Sequence, residues 1–123
     1  MKPVFLLCVA SGGALGALLR YLITSLVPSE NFPWHTLSVN LLGCLIMGLF
    51  AGWIFKFPVS EEVRLFVMTG FLGALTTFSS FALDVGVLAE KGELMKASLY
   101  VALSVIACVF LFFAAFKAGK AFF

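Results

Sequence analysis

Long apolar runs separated by short polar segments dominate the pattern of the chain. Four such runs extend over residues 4–27, 34–57, 62–89 and 95–116. Each is long enough to cross a bilayer, because a hydrocarbon core of about 30 Å requires about 20 helical residues. Proline and charged residues collect in the segments between the runs. The pattern predicts an all-α membrane protein, with four transmembrane helices in a single domain over residues 1–123.

Polar residues interrupt the third run near its centre. Residues 70–81 read GFLGALTTFSSF and contain four hydroxyl side chains behind two glycines. Hydrocarbon offers the backbone no hydrogen-bond partners, so such an interruption is tolerated only where protein or a water-filled cavity surrounds it. The centre of the run falls close to Thr76, so we expect the hydroxyl cluster to lie near the bilayer midplane.

Composition supports a membrane protein and limits the possible partners. Of 123 residues, 63% are hydrophobic and 11% are charged, whereas a soluble domain has about 25% charged residues. Membrane lipid is therefore an expected partner, while a net charge of +2 gives no reason to expect nucleic acid. For the cysteines a packing role is favoured over a disulfide or a metal site, because all of them lie within apolar runs: Cys8, Cys44 and Cys108.

Small residues predict where helices approach one another. Gly12 and Gly16 in the first run, and Gly48 and Gly52 in the second, have the four-residue spacing of close helix contacts in membranes. Ser60 precedes two glutamates and is expected to cap the third helix.

Polar side chains inside the runs are candidates for function, since they are costly in lipid. Arg20 either snorkels to the interface or lies at the rim of a water-filled entrance for an anion. Asn40 either bonds a neighbouring helix or donates to something that passes through. Asp84 is the only carboxylate well inside a run, and a bond to backbone or to a helix end is favoured for it. His35, beside the interfacial Trp34, is expected to be solvated.

Two runs carry polar residues at a helical spacing. Thr36 and Asn40 share a face of the second run, and Tyr100, Ser104 and Cys108 form a stripe along the fourth. These faces are expected to point into the protein.

The positive charges hardly favour one orientation in the membrane. Five Lys and Arg residues fall on the side of the two termini, and three fall on the other side. So small a bias permits insertion in both orientations, and hence an antiparallel homodimer with its two-fold axis in the membrane plane. Anything held on that axis lies at mid-span, where the third run is interrupted.

Three motifs resemble those of the Fluc (CrcB) family of fluoride ion channels. They are GGALGALLRY at 12–21, TLSVNLLG at 36–43 and GFLGALTTFSSF at 70–81. The resemblance implies no enzyme activity but a dual-topology, antiparallel homodimer in the bacterial plasma (inner) membrane. Two pores of such a dimer let fluoride leave the cytoplasm passively, which lowers its toxicity.

The resemblance also implies that the third helix is broken at mid-membrane, and it implies roles for individual residues. Backbone carbonyls at Gly73 and Thr76 match those that hold a structural sodium ion (Na⁺) at the dimer interface. Asn40 matches a fluoride donor, and Phe78 and Phe81 match the phenylalanines that line the pore. The family's polar track corresponds to Thr36, Tyr100, Ser104 and Cys108. This chain departs from the family by having Ala74 for a common glycine, Asp84 for a usual glutamate and Cys108 for a usual hydroxyl.

These residue types suit fluoride, a small anion that holds its water tightly. The Asn40 amide and the hydroxyls of Thr77, Ser80 and Ser104 can donate hydrogen bonds in place of that water. Phenylalanine rings have positive edges, which attract an anion weakly. Conduction requires weak binding at several sites, and no lysine or arginine stands at the expected constriction.

Two alternatives remain open at the level of sequence. A small dual-topology, proton-coupled multidrug exporter has a similar length, but it needs a membrane-embedded carboxylate, typically in its first span. The first run has no acid, so Asp84 is the only candidate. A scaffold subunit would need the glycines for packing, but it would not explain the inward-facing hydroxyls and Asn40.

Overall fold

The computed structural model describes all residues, 1–123, and every regular element in it is a helix. The helices are α1 (Pro3–Leu26), α2 (Trp34–Lys56), α3 (residues 61–75), α4 (Phe78–Glu90) and α5 (Leu94–Phe122). α1, α2, α5 and the combined segment Glu61–Glu90 are each long and apolar enough to cross a membrane. The prediction of an all-α chain with four membrane-capable segments is confirmed. α5 continues beyond the predicted boundary at residue 116, because no helix-breaking proline follows it.

Local signals in the sequence explain where the helices begin and end. Pro28 and Pro33 bound the loop between α1 and α2. At the start of α3 the Val63 N–H donates to Ser60 Oγ at 3.4 Å, which confirms the predicted cap. The turn between α4 and α5 uses Gly92 at a φ of +76°, a conformation that glycine adopts without steric cost.

α1 packs against α3 through glycines. A Cβ atom on Gly12 or Gly16 would collide with the backbone carbonyl of Phe66 or Phe71, and one on Gly70 would collide with α1 in return. The middle of α3, Leu65–Leu72, is wound as a π-helix, which is wider than an α-helix. The predicted glycine contact of the first run is thus a backbone-to-backbone contact with the third.

α2 and α5 form the other extensive helix pair and run in the same direction. A Cβ atom on Gly48 would meet the Phe112 carbonyl, and one on Gly52 would meet the Phe116 carbonyl. In both contacts the α5 residue follows the α2 residue by the same number of positions, so one register holds along the helix pair. In that register the preceding turns pair Thr36 with Tyr100, Asn40 with Ser104, and Cys44 with Cys108. The two predicted polar faces therefore meet each other.

The third membrane-capable segment is broken between α3 and α4. Thr76 (φ −81°, ψ 157°) and Thr77 (φ −152°, ψ 115°) are extended, and α4 begins at Phe78. Buried apolar clusters lie on both sides of the break: Val39, Leu72 and Leu75 on the α3 side, and Leu37, Phe81, Leu88, Ala97 and Tyr100 on the α4 side. The break in the third helix that the family resemblance implies is confirmed, and it lies at Thr76 and Thr77.

A pair of alanine substitutions tests the contact between α1 and α3. Gly16→Ala places a methyl group against the Phe71 carbonyl, so we expect a loss of about 1–3 kcal/mol from overpacking, seen as a lower thermal midpoint of the detergent-solubilised protein. Gly13→Ala is the matched control, because nothing lies within 4 Å of its added Cβ. Equal midpoints for the two variants would contradict the close backbone contact.

Candidate functional site

Asn40 holds the broken backbone through two hydrogen bonds. Its Nδ2 donates to the Thr77 carbonyl at 3.1 Å, and its Oδ1 accepts from the Thr77 N–H at 2.7 Å. The contact with a neighbouring helix, one of the two alternatives for Asn40, is therefore present. A side-chain amide carries two N–H donors, so one hydrogen of Asn40 is not used by Thr77.

Arg20 also reaches the break. Its Nη1 lies 3.4 Å from the Thr76 carbonyl oxygen, and the side chain is half-buried. The guanidinium is thus directed at the broken backbone rather than at the end of its own helix. With five N–H donors, Arg20 retains others beyond this contact.

The break begins α4 with a side-chain cap. Thr77 Oγ1 accepts from the Ser80 N–H at 3.1 Å, and its hydroxyl donates to Ser80 Oγ at 3.1 Å. Ser79 Oγ lies 3.2 Å from the same oxygen. The Thr77 hydroxyl is therefore engaged within this turn, whereas the Ser80 hydroxyl accepts from it and keeps its own hydrogen to donate.

A cavity of about 590 Å³, here called the groove, lies beside the break between α2 and α5. Seven of the predicted site residues line it: Asn40, Thr76, Thr77, Phe78, Phe81, Ser104 and Cys108. The other predicted residues do not line it: Arg20, Thr36, Gly73, Ser80 and Tyr100. No Asp, Glu, Lys or Arg side chain borders the groove. Cys44 also borders the groove, whereas the sequence predicts only a packing role for it. The signal for this position is its four-residue spacing from Asn40, which puts both residues on one face of α2.

Ser104 is the polar group of the groove that the protein leaves unsatisfied. Its side chain is buried, and its Oγ has no hydrogen-bond partner within the protein. A buried hydroxyl without a partner costs about 1–3 kcal/mol. An unsatisfied buried donor in a native fold calls for an explanation such as a bound ion or water.

The two predicted pore phenylalanines lie in different environments. Their ring centroids are 5.2 Å apart, and the Phe81 ring lies 5.1 Å from that of Tyr100. Phe81 is buried in the cluster on the α4 side, whereas 77% of Phe78 is exposed. Phe81 therefore packs and borders the groove at once, and Phe78 presents an uncovered ring beside it.

Asp84 and His35 differ from the expectations for them. The Tyr100 hydroxyl donates to Asp84 Oδ2 at 3.0 Å, and His35 Nε2 lies 4.0 Å from Asp84 Oδ1. Asp84 thus bonds a side chain rather than backbone or a helix end. His35 is not simply solvated, because its Nδ1 is buried. The cause is the packing of the first turns of α2 between α4 and α5, which single runs of sequence do not reveal.

The break offers a metal ion backbone carbonyl and hydroxyl oxygens, and the chain has no group of three or more His, Cys, Asp or Glu side chains able to hold one. The N–H of Thr77 would bond the Gly73 carbonyl in a continuous α-helix, but Asn40 takes it instead. Gly73 is exposed. Unwound carbonyls of this kind are typical Na⁺ ligands in broken membrane helices. The donor set therefore fits the sodium ion that the family resemblance implies.

Comparison with known proteins decides the family. The family model described as CrcB-like protein, Camphor Resistance (CrcB), matches residues 7–116. The chain belongs to the CrcB family. This confirms the resemblance drawn from the three motifs, and with it the prediction that this CrcB chain is not an enzyme, because the CrcB family is not enzymatic.

Similar relatives are named as fluoride-specific ion channels, FluC. The one from Idiomarina loihiensis is 46% identical, over 88% of this chain and 86% of its own length. The one from Rhizobium leguminosarum bv. trifolii is 46% identical over 94% and 92%. The one from Hahella chejuensis is 47% identical over 89% and 90%. The similarity thus covers almost all of this CrcB chain, including the break and the groove.

Removing the Asn40 amide tests its role in holding the break. Asn40→Ala leaves the N–H and the carbonyl of Thr77 without partners, so we expect a loss of at least about 1–3 kcal/mol, measured as a lower thermal midpoint in detergent. Ser38→Ala is the matched control on the same helix, since its hydroxyl bonds only to the Trp34 carbonyl one turn earlier. If both variants unfold at the same temperature, Asn40 does not hold the break.

Proposed function

We propose that this CrcB-family chain is a fluoride-selective ion channel that lets fluoride leave the cytoplasm passively and so lowers its toxicity. The observation that carries the proposal is the buried Ser104 hydroxyl, which has no partner in the protein and borders an uncharged groove. The similar relatives named as fluoride-specific channels support the choice of ion.

The chemistry of the groove suits a small, strongly hydrated anion. Ser104 and the second N–H of Asn40 supply hydrogen-bond donors, and Phe78 and Phe81 supply ring edges of weak positive potential. A lysine or arginine in the groove would hold the anion too tightly to release it, and none borders it. Donors without a fixed charge give the weak, multi-site binding that conduction requires.

The proposed channel is an antiparallel, dual-topology homodimer with two pores in the bacterial inner membrane. Two apolar rings at the groove, Phe78 and Phe113, are 77% and 57% exposed in a single chain. A second copy would cover such surface and close the open side of each groove into a pore. The near-even distribution of Lys and Arg between the two sides of the membrane permits the opposite insertion that this dimer needs.

Na⁺ is the proposed structural ion of that dimer, held by the carbonyls of Gly73 and Thr76. When bound, it would supply positive charge to carbonyl oxygens that the break leaves without regular helical partners. Two oxygens from one chain make an incomplete shell, which is the reason for placing the ion on the dimer axis. Arg20 donates to the same Thr76 carbonyl at 3.4 Å, so a sodium ion would share this oxygen with the guanidinium.

The exporter alternative gains nothing from the geometry. Its mechanism needs a carboxylate that exchanges protons and substrate within a cavity. Asp84 accepts the Tyr100 hydroxyl and does not border the groove. The geometry therefore favours the channel over the exporter.

Fluoride efflux from liposomes tests the proposal. Purified protein is reconstituted into vesicles loaded with potassium fluoride, and a fluoride electrode records efflux after a potassium ionophore is added. We expect rapid efflux without a pH gradient, and no efflux when chloride replaces fluoride and a chloride electrode is used. Absence of fluoride efflux, or efflux that requires a proton gradient, would rule out a passive fluoride channel.

Ser104→Ala separates the function of this hydroxyl from any role in stability. The substitution removes a buried donor that bonds nothing in the protein, so the thermal midpoint should stay the same or rise. Fluoride efflux should fall about tenfold, corresponding to about 1.4 kcal/mol for one lost donor. Ser11→Ala on α1 is the control, because its hydroxyl bonds only carbonyls of its own helix. Wild-type efflux from Ser104→Ala would remove Ser104 from the fluoride pathway.

A further inference from the structure

Two of the three cysteines of the chain lie opposite each other on α2 and α5, in the wall of the groove. Cys44 on α2 and Cys108 on α5 both border the groove, and both are half-buried free thiols. The parallel register of α2 and α5 pairs them, because the two following turns bring Gly48 to Phe112 and Gly52 to Phe116. The Cys44 thiol also lies close enough to influence the Cys108 thiol electrostatically. Sequence spacing alone gave no reason to join them, since they lie on different helices.

The surroundings of the pair limit what it can bind. No carboxylate, imidazole or third thiol borders the groove, so a cation that requires four ligands, such as Zn²⁺, finds too few. Soft thiolate and thioether ligands favour Cu⁺ over hard cations, and the only further sulfur that borders the groove is the Met47 thioether. Cu⁺ and its heavier relative Ag⁺ form stable complexes with only two sulfur ligands.

We propose that Cys44 and Cys108 form a two-coordinate site for a soft monovalent cation of the Cu⁺ and Ag⁺ type. Binding replaces both thiol protons: the cation and two RSH groups give RS–M–SR, with a net charge of −1, and release two protons. No electron is transferred. The dependence on thiolate means that binding weakens as the pH falls.

Occupancy of this site would oppose anion passage, an effect that rests on the proposed channel function. The pair lies one helical turn from Asn40 and Ser104, on the same wall of the groove. Each bound cation leaves one negative charge there, in surroundings of low dielectric where Coulomb repulsion is strong. A fluoride ion in the groove would meet both that repulsion and a narrower path. The site would make the channel sensitive to soft metals.

The binding itself is tested without any measurement of transport. The full-length protein in detergent is reduced, moved to chloride-free nitrate buffer and treated with silver nitrate. It is then desalted in the presence of a competing monothiol, and the retained silver is counted per chain. We expect one tightly held Ag⁺ per chain in the wild type and in Cys8→Ala, whose cysteine does not border the groove.

The single variants Cys44→Ser and Cys108→Ser should each hold Ag⁺ about 100-fold more weakly, because two sulfurs in one chain act as a linked pair. Retention equal to the wild type in either variant would overturn the proposal. So would loss of the silver in Cys8→Ala. Thermal midpoints measured on the metal-free variants show whether each is folded, and a variant that fails is replaced by the corresponding alanine.

Efflux measurements then test the consequence for fluoride. With nitrate as the background anion, Ag⁺ should lower fluoride efflux from wild-type and Cys8→Ala vesicles at least about tenfold, and a monothiol should restore it. Each cysteine variant is compared with its own metal-free rate, and neither should be inhibited. Tight binding without inhibition would confine the proposal to a metal site that does not affect passage. A chain that conducts no fluoride would refute the channel and leave the binding result standing.

Discussion

The fold depends on the pair of hydrogen bonds between Asn40 and the backbone of Thr77. A helix that crosses a membrane satisfies its own backbone, and a broken one does not. Asn40 supplies the donor and the acceptor that Thr77 lacks, at 3.1 and 2.7 Å. On either side of this pair, Arg20 donates to the Thr76 carbonyl and the Thr77 hydroxyl accepts from the Ser80 N–H. A single polar residue on α2 thus satisfies the backbone at the break, and it connects the break to a helix that borders the groove.

The break divides one membrane segment into two helix ends of opposite polarity. The C-terminal end of α3 carries the partial negative charge of its carbonyls, which attracts cations, and the N-terminal end of α4 carries the partial positive charge of its N–H groups, which attracts anions. Thr76 and Thr77 separate these two ends by a single peptide unit. Under the proposed function, the carbonyl end faces the sodium ion of the dimer and the N–H end faces the fluoride pathway. The two roles are compatible in so short a stretch because the backbone, rather than a charged side chain, supplies both polarities.

The sequence predicted those features that depend on one helix at a time. The four apolar runs, the Ser60 cap and the glycine contacts follow from spacing and composition, and each is present in the structure. The polar interruption of the third run also follows from the pattern, and the family resemblance added that the helix is broken there. Contacts between helices were harder to predict. The interaction of Asp84 with Tyr100 and His35 was missed, since it depends on how α2 enters between α4 and α5. The neighbouring positions of Cys44 and Cys108 were missed for the same reason, because the sequence of one helix does not determine its register against another.

That register also explains why the groove contains an unsatisfied hydroxyl. Gly48 and Gly52 allow the backbones of α2 and α5 to approach closely, since a Cβ atom on either glycine would meet an α5 carbonyl. In the same register Asn40 lies opposite Ser104, but Asn40 bonds the backbone of Thr77 and leaves the Ser104 hydroxyl without a partner. Only two buried side-chain nitrogen or oxygen atoms of the chain lack a hydrogen-bond partner, Ser104 Oγ and His35 Nδ1. Alanine at position 104 would remove the cost of an unpaired donor, so stability does not account for serine there. Departures from local rules are expected where a protein performs its function, and under the proposed channel function this hydroxyl is a donor kept free for the anion.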